Sequence, residues 1–209
     1  NYFPKIMSGT ICTPEGAERA LLAGCTHIRV GVGSGSACTT RIMTGCGLPN
    51  LTAVYRIYKY LSSKYDKDSF ALVADGGIRS PGDAVKYLAA GAKGIMLGNV
   101  LSRAKESAGW LKNRETGTVY KEYRGQASFA FQQERLDIEN PKHVEGVTCG
   151  VIYPEYTVKE IVAHYENSLR SAISYLGLDS IHDLVPENVT FVKVTANGLK
   201  EGMPHGKII

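Results

Sequence analysis

The sequence predicts an α/β chain that supplies the second half of a (β/α)8 TIM barrel, with a lid and a C-terminal segment attached. Three observations predict it. Residues 5–31 (KIMSGTICTPEGAERALLAGCTHIRVG) and 72–98 (LVADGGIRSPGDAVKYLAAGAKGIMLG) align without a gap. Each copy reads as an apolar strand, a small-residue turn, a helix and a second apolar strand. Each strand ends in a small-residue loop (SGT, GVGSGS, ADGG, LGN), and in a barrel such ends converge on the face that carries the active site. Only four strand–helix units are visible, all within residues 1–103, whereas a closed barrel needs eight and roughly 250 residues. The first half is therefore expected from sequence upstream of Asn1 or from another chain, because a half-barrel alone exposes two strand edges.

Each element has a local cause. Thr13 and Ser80 are N-cap residue types, and Pro14 and Pro81 suit the first helical position. Asp83 completes a capping box with Ser80, and Gly24 and Gly91 fit the left-handed position just past a helix. The strands are short apolar runs, the pattern of a parallel sheet covered on both faces. Between the repeats, Leu51, Val54, Ile57, Tyr58 and Leu61 have helical spacing within 50–64. The order is then β-α-β-loop-α-β-α-β with right-handed crossovers. Residues 104–156 lack periodicity and read as a flap. Residues 157–178 return to helical spacing, with Thr157 and Glu160 as a capping box and Gly177 as the C-cap. The end, FVKVTANGLKEGMPHGKII, reads as a short strand and a Gly-rich tail. Residues 1–209 are expected to form one catalytic domain.

Bulk properties narrow the function classes. Of the 209 residues 44% are hydrophobic and 21% charged, an ordinary globular composition. The net charge is +4, but the basic residues are scattered, which argues against a nucleic-acid partner. No apolar run approaches the roughly 20 residues of a membrane span. Cys12, Cys25, Cys38, Cys46 and Cys149 form no CxxC pair, so a disulfide framework or zinc site is not expected, and a reducing, cytoplasmic setting is.

The loops carry the chemistry. Gly33, Gly35 and Ser36 gather backbone N–H groups and a hydroxyl, as Gly98 and Asn99 do after the last strand. Two such loops on one face suggest a phosphate site. Asp75, after an apolar strand, can accept two ribose hydroxyls. Cys38, beside glycines and hydroxyls and near Arg41, is placed to attack as a thiolate.

GVGSGSACTTRIMTGCGLPNLTAV, ADGGIRSPGD, GIMLGN, ESAG and YKEYRGQAS, in this order, resemble the IMP dehydrogenase/GMP reductase family, from near its fifth barrel strand onward. The resemblance implies a tetrameric barrel enzyme acting at C2 of a purine nucleoside monophosphate, with Cys38 forming a covalent adduct there and a nicotinamide cofactor exchanging hydride. It implies nucleotide contacts at Ser36, Asp75, Gly76, Gly77, Gly98, Asn99, Tyr123 and Gly125, with backbone groups of Gln126 and Ala127 at the base.

Three features bear on which reaction. The tail VTANGLKEGMPHG resembles the dehydrogenase C-terminus. There, carbonyls of a neighbouring subunit's tail, matching Glu201, Gly202 and Met203, join those matching Gly33, Gly35 and Cys38 around K+. YRG at 123–125 is dehydrogenase-like too. The flap departs from that pattern. The Arg-Tyr pair that activates water in dehydrogenases matches Arg135 and Leu136 here, so its tyrosine is missing. The short flap and SPGD at 80–83 are more like a reductase, yet Phe129 stands where the reductase flap has a glutamate. Glu145 matches a flap Glu/Gln that contacts the base, and Thr40 with Glu145 offers an alternative proton relay. The favoured reading is oxidation of IMP to XMP with NAD. The alternatives are reduction of GMP to IMP with NADPH, or a nucleotide-binding homologue that has lost turnover. NAD versus NADP stays open.

Overall fold

A computed structural model describes residues 4–152 and 156–204. Its first sheet is parallel, in the order β1 (Met7–Ile11), β2 (His27–Val30), β3 (Ala71–Asp75) and β4 (Gly94–Met96). The connecting helices are α1 (Pro14–Leu22) between β1 and β2, α3 (Asn50–Ser62) between β2 and β3, and α4 (Pro81–Ala89) between β3 and β4. This is the predicted order, with one addition: the loop after β2 contains a short helix, α2 (Thr40–Thr44).

The predicted caps are made. Thr13 Oγ1 accepts from Gly16 N at 3.2 Å, and Ser80 and Asp83 form a reciprocal capping box at the start of α4. Such caps contribute about 1 kcal/mol each. Gly24 and Gly91 close their helices with φ of +94° and +102°.

The core lies between one face of the sheet and the helices. Ile28, Val30, Leu72 and Ala74 alternate along β2 and β3, and all are fully buried. They join Val54, Ile57 and Leu61, the apolar stripe of α3, in one cluster. The other face, which carries Arg29, Val73 and Asp75, is only partly buried. The expectation of a sheet covered on both faces is thus corrected: within this chain one face is covered. Each outer strand, β1 and β4, pairs on one side only among the described residues.

Two further predicted segments differ. Residues 104–156 are not structureless. After α5 (Asn99–Ser102) they form a second, antiparallel sheet of β5 (Leu111–Lys112), β6 (Val119–Arg124) and β7 (Thr148–Ile152), with α6 (Phe129–Leu136) between β6 and β7. The predicted strand at FVKV is absent. An alternating run makes a strand only where a neighbour accepts its ladder, and no described strand lies beside it. Phe191 instead packs edge-to-face on Tyr55 of α3, with ring centroids 6.2 Å apart, and the chain continues into α8 (Ala196–Glu201). The long helix α7 (Val158–Tyr175) starts at the predicted Thr157–Glu160 box and packs on α4, burying Ile161 and Tyr165. Among the described residues no helix is long and apolar enough to cross a membrane.

Candidate active site

The parallel strands deliver their loops to one place. Gly31 leaves β2 with φ +146°, and a Cβ there would sit 2.2 Å from Asp75 O, so the two loops touch through backbone. Ser34 Oγ and Asn50 Nδ2 both donate to Asp75 O, at 2.8 and 2.9 Å. Asn50 Nδ2 and Tyr87 OH donate to Gly76 O, at 3.1 and 3.2 Å. These bonds hold the end of β3 against the loop that follows β2.

Between the loops lies a cavity of about 520 Å3. Of the sequence-predicted residues, Gly35, Ser36, Asp75, Gly76, Gly77, Gly98, Asn99 and Tyr123 line it. Arg79 and Arg103 also line it, and sequence reasoning missed both. So did it miss Arg29, whose Nε lies 2.8 Å from Asp75 Oδ2 as an ion pair without hydrogen-bond geometry. The available signal was a lone charge in an otherwise apolar strand.

Cys38, half-buried, does not itself line this cavity; it follows the lining residues Gly35 and Ser36 in the loop and is bridged to Gly146 of the flap. Its Sγ donates to Thr40 Oγ1 at 3.2 Å, and Thr40 Oγ1 donates to Glu145 Oε2 at 2.6 Å. His143 Nε2 meets the other carboxylate oxygen, Oε1, at 2.8 Å; His143 was also missed. The Thr40 hydroxyl, then the His143 ring, hold the Glu145 carboxyl below the usual carboxylate range. A thiol, a hydroxyl and a carboxylate thus form one hydrogen-bonded series able to move a proton away from sulfur or from a water beside it.

Backbone contacts fix the flap to this series. Thr39 N donates to Glu145 O and Val147 N donates to Ala37 O, both at 2.9 Å, so residues 145–147 run as a short ladder beside the cysteine loop. Glu145 N in turn donates to Ala127 O at 3.0 Å, and Ser128 N to Gly125 O at 3.1 Å. Gly125, Gln126 and Ala127 therefore form the turn on the flap's other side.

Two expectations are corrected. Arg41 does not serve the thiol: its Nε donates to Val32 O at 2.7 Å and its Nη2 to Leu48 O, tying the cysteine loop to itself. Arg135 is not part of the Cys38 series. It lies on α6 and lines a neighbouring cavity of about 480 Å3 with Lys121 and Arg124. Of the cation-site residues, Gly33 and Gly35 belong to the cysteine loop, where Gly35 O accepts from Cys38 N at 3.1 Å. Glu201, Gly202 and Met203 lie at the end of α8.

Residues 2–205 match the model of the IMP dehydrogenase / GMP reductase domain. The chain belongs to that family. It is 36% identical to the inosine-5'-monophosphate dehydrogenase of Chlorobaculum tepidum over 98% of its own length and 42% of the relative's. With the enzyme of the same name from Thermoplasma acidophilum it shares 39% identity, over 96% of this chain and 41% of the relative. Among solved structures it is similar to a Trypanosoma brucei GMP reductase in complex with guanosine 5'-monophosphate, with TM-score 0.86 and 34% identity. That match covers 98% of this chain and 41% of the other. The family member described here thus spans about two fifths of the length of the curated relatives it matches.

Proposed function

We propose that this chain is the catalytic second half of a (β/α)8 barrel that oxidises IMP to XMP, with Cys38 as the nucleophile at C2. The Cys38–Thr40–Glu145 series beside the nucleotide cavity carries this reading. Ser36, Gly77, Gly98 and Asn99 would hold the phosphate, Asp75 the ribose, and the turn at Gly125–Ala127 the base. Cys38 sulfur bonds to C2 after its proton passes toward Thr40. A nicotinamide cofactor, NAD in this reading, would supply the acceptor for the hydride from C2. Once Glu145 has released the thiol's proton to solvent, water would add at C2, one of its protons passing through Thr40 to Glu145, and the C2–S bond would break to return the thiolate. Tyr123 reaches Gly98 across the cavity and would close it over the nucleotide.

The free edges of β1 and β4 call for four further strand–helix units, from upstream sequence or another chain. Ile6 and Met7, half-exposed at the start of β1, fit such a junction. In the complete enzyme, a homotetramer in the cytoplasm, Gly33, Gly35 and Cys38 would offer carbonyls to K+ together with Glu201, Gly202 and Met203 of a neighbouring tail.

The second reading is a GMP reductase, favoured by the missing tyrosine after Arg135 and by the GMP-bound structural relative. Incubation with IMP and NAD should produce reduced cofactor, measured by absorbance. Consumption of NADPH with GMP, and none of NAD with IMP, would select the reductase. Cys38→Ala should keep nucleotide affinity and lose turnover; undiminished turnover would refute both readings.

A further inference from the structure

Beside the nucleotide cavity lies a second, of about 500 Å3, between the start of α4 and the first turns of α7. Arg79, Val100 and Arg103 line both, so the two share a wall. Neither guanidinium has a hydrogen-bond or ion-pair partner among the described residues. His164 of α7 is also in the lining. Beside it Tyr165 is 8% exposed, and its hydroxyl is a buried polar atom with no hydrogen-bond partner. A buried hydroxyl left unpaired carries a desolvation cost that a ligand can recover. Burial, then the Asp83 carboxylate, pushes the Tyr165 phenol up, which keeps it a donor.

The polar groups of the two helix starts are already committed. Glu160, also in the lining, accepts from Thr157 N and Oγ1 at 2.7 and 2.8 Å. Val158 N donates to Glu106, and Ser80 N to Asp83. The two helix starts are therefore satisfied by the chain's own carboxylates. What is left over is rich in donors: two guanidiniums, the His164 imidazole and the Tyr165 phenol, with Tyr156 also in the lining.

We propose that this second cavity is a phosphate-class oxyanion subsite, formed by Arg79, Arg103, His164 and the Tyr165 hydroxyl. The phosphate comes either from free inorganic phosphate or from the outer phosphates of a purine nucleoside triphosphate reaching past Arg79 and Arg103. The second source rests on the nucleotide reading above; the first does not.

The test is calorimetric titration of the protein with inorganic phosphate, with IMP saturating so that the nucleotide's own phosphate position is filled. Wild type should take up phosphate, and Tyr165→Phe and Arg103→Ala should each bind it about tenfold more weakly. Tyr165→Phe should not lower Tm, because it deletes only an unpartnered group, so its effect is not one of folding. In a titration without IMP, weaker binding of inosine triphosphate by Tyr165→Phe assigns the subsite to a nucleotide's outer phosphates; triphosphate affinity unchanged in Tyr165→Phe assigns it to free phosphate. Phosphate affinity within about twofold of wild type in Tyr165→Phe overturns the proposal. So does loss in Arg103→Ala alone, since Arg103 also faces the first cavity, and so does absent uptake by wild type. Failure of IMP to bind would strike the nucleotide reading only, and the titration without IMP still reads Tyr165.

Discussion

Thr40→Val is the sharpest perturbation of the proposed chemistry. It keeps the shape of the side chain and removes one oxygen. That oxygen accepts from Cys38 Sγ at 3.2 Å and donates to Glu145 Oε2 at 2.6 Å, so one substitution cuts both links. Glu145 keeps His143 at 2.8 Å and stays near its place. The lost bonds lie at a part-buried site and cost about 1 kcal/mol of stability. The cost to turnover is larger. Positioned acid–base assistance is worth roughly 10²–10⁴ in rate, about 2.7–5.4 kcal/mol of barrier. Stopped-flow absorbance with IMP and NAD separates the two steps. Hydride transfer in the first turnover should slow because the thiol loses its proton acceptor, and the steady-state rate, set by water attack, should fall by roughly a hundredfold or more. A steady-state kcat within about threefold of wild type would refute the relay.

The remaining predictions are narrower. Asp75→Ala should weaken IMP binding by about 1.5–3 kcal/mol, measured by calorimetry, through loss of a charged acceptor; unchanged affinity removes Asp75 from the ribose role. Gly31→Ala should lower stability by about 3 kcal/mol in denaturant melts, since its Cβ would lie 2.2 Å from Asp75 O at φ +146°. Glu145 is held below its ordinary value of 4.5, so the folded state carries fewer protons there than the unfolded one. Its contribution to flap docking is complete above that value and is lost as pH falls through the lower, folded one. Limited proteolysis should therefore cut residues 137–147 faster in acid, and a Glu145→Gln protein should lack that dependence. Turnover should be faster in K+ than in tetramethylammonium, and equal rates would remove the carbonyl site.

What could be read ahead of the structure was whatever is local in sequence. The repeat and its caps are written in adjacent residues, and Ser80–Asp83 and Thr157–Glu160 form as their spacing requires. The cysteine loop was legible because glycines and a thiol in one short run have few other uses. The second sheet was not, because β5 has two residues and β6 (VYKEYR) mixes charge on both faces. Nor was the role of Arg41, which the structure spends on Val32 and Leu48 within its own loop. Thr40–Glu145 was proposed from resemblance, but its distance, and the presence of His143 behind it, depend on a contact 105 positions apart along the chain. Arg79 and Arg103 sit in two different loops and acquire meaning only where those loops meet.

The ladder between residues 145–147 and the cysteine loop is made of amide groups, which every residue except proline possesses in full. The depth at which the Glu145 side chain enters is therefore specified without reference to the composition of the surrounding segment. Evolution can rewrite that segment freely while leaving the carboxylate in register. The exception is Gly146, where any added carbon would come within 3.1 Å of both Ala37 O and Ser128 N.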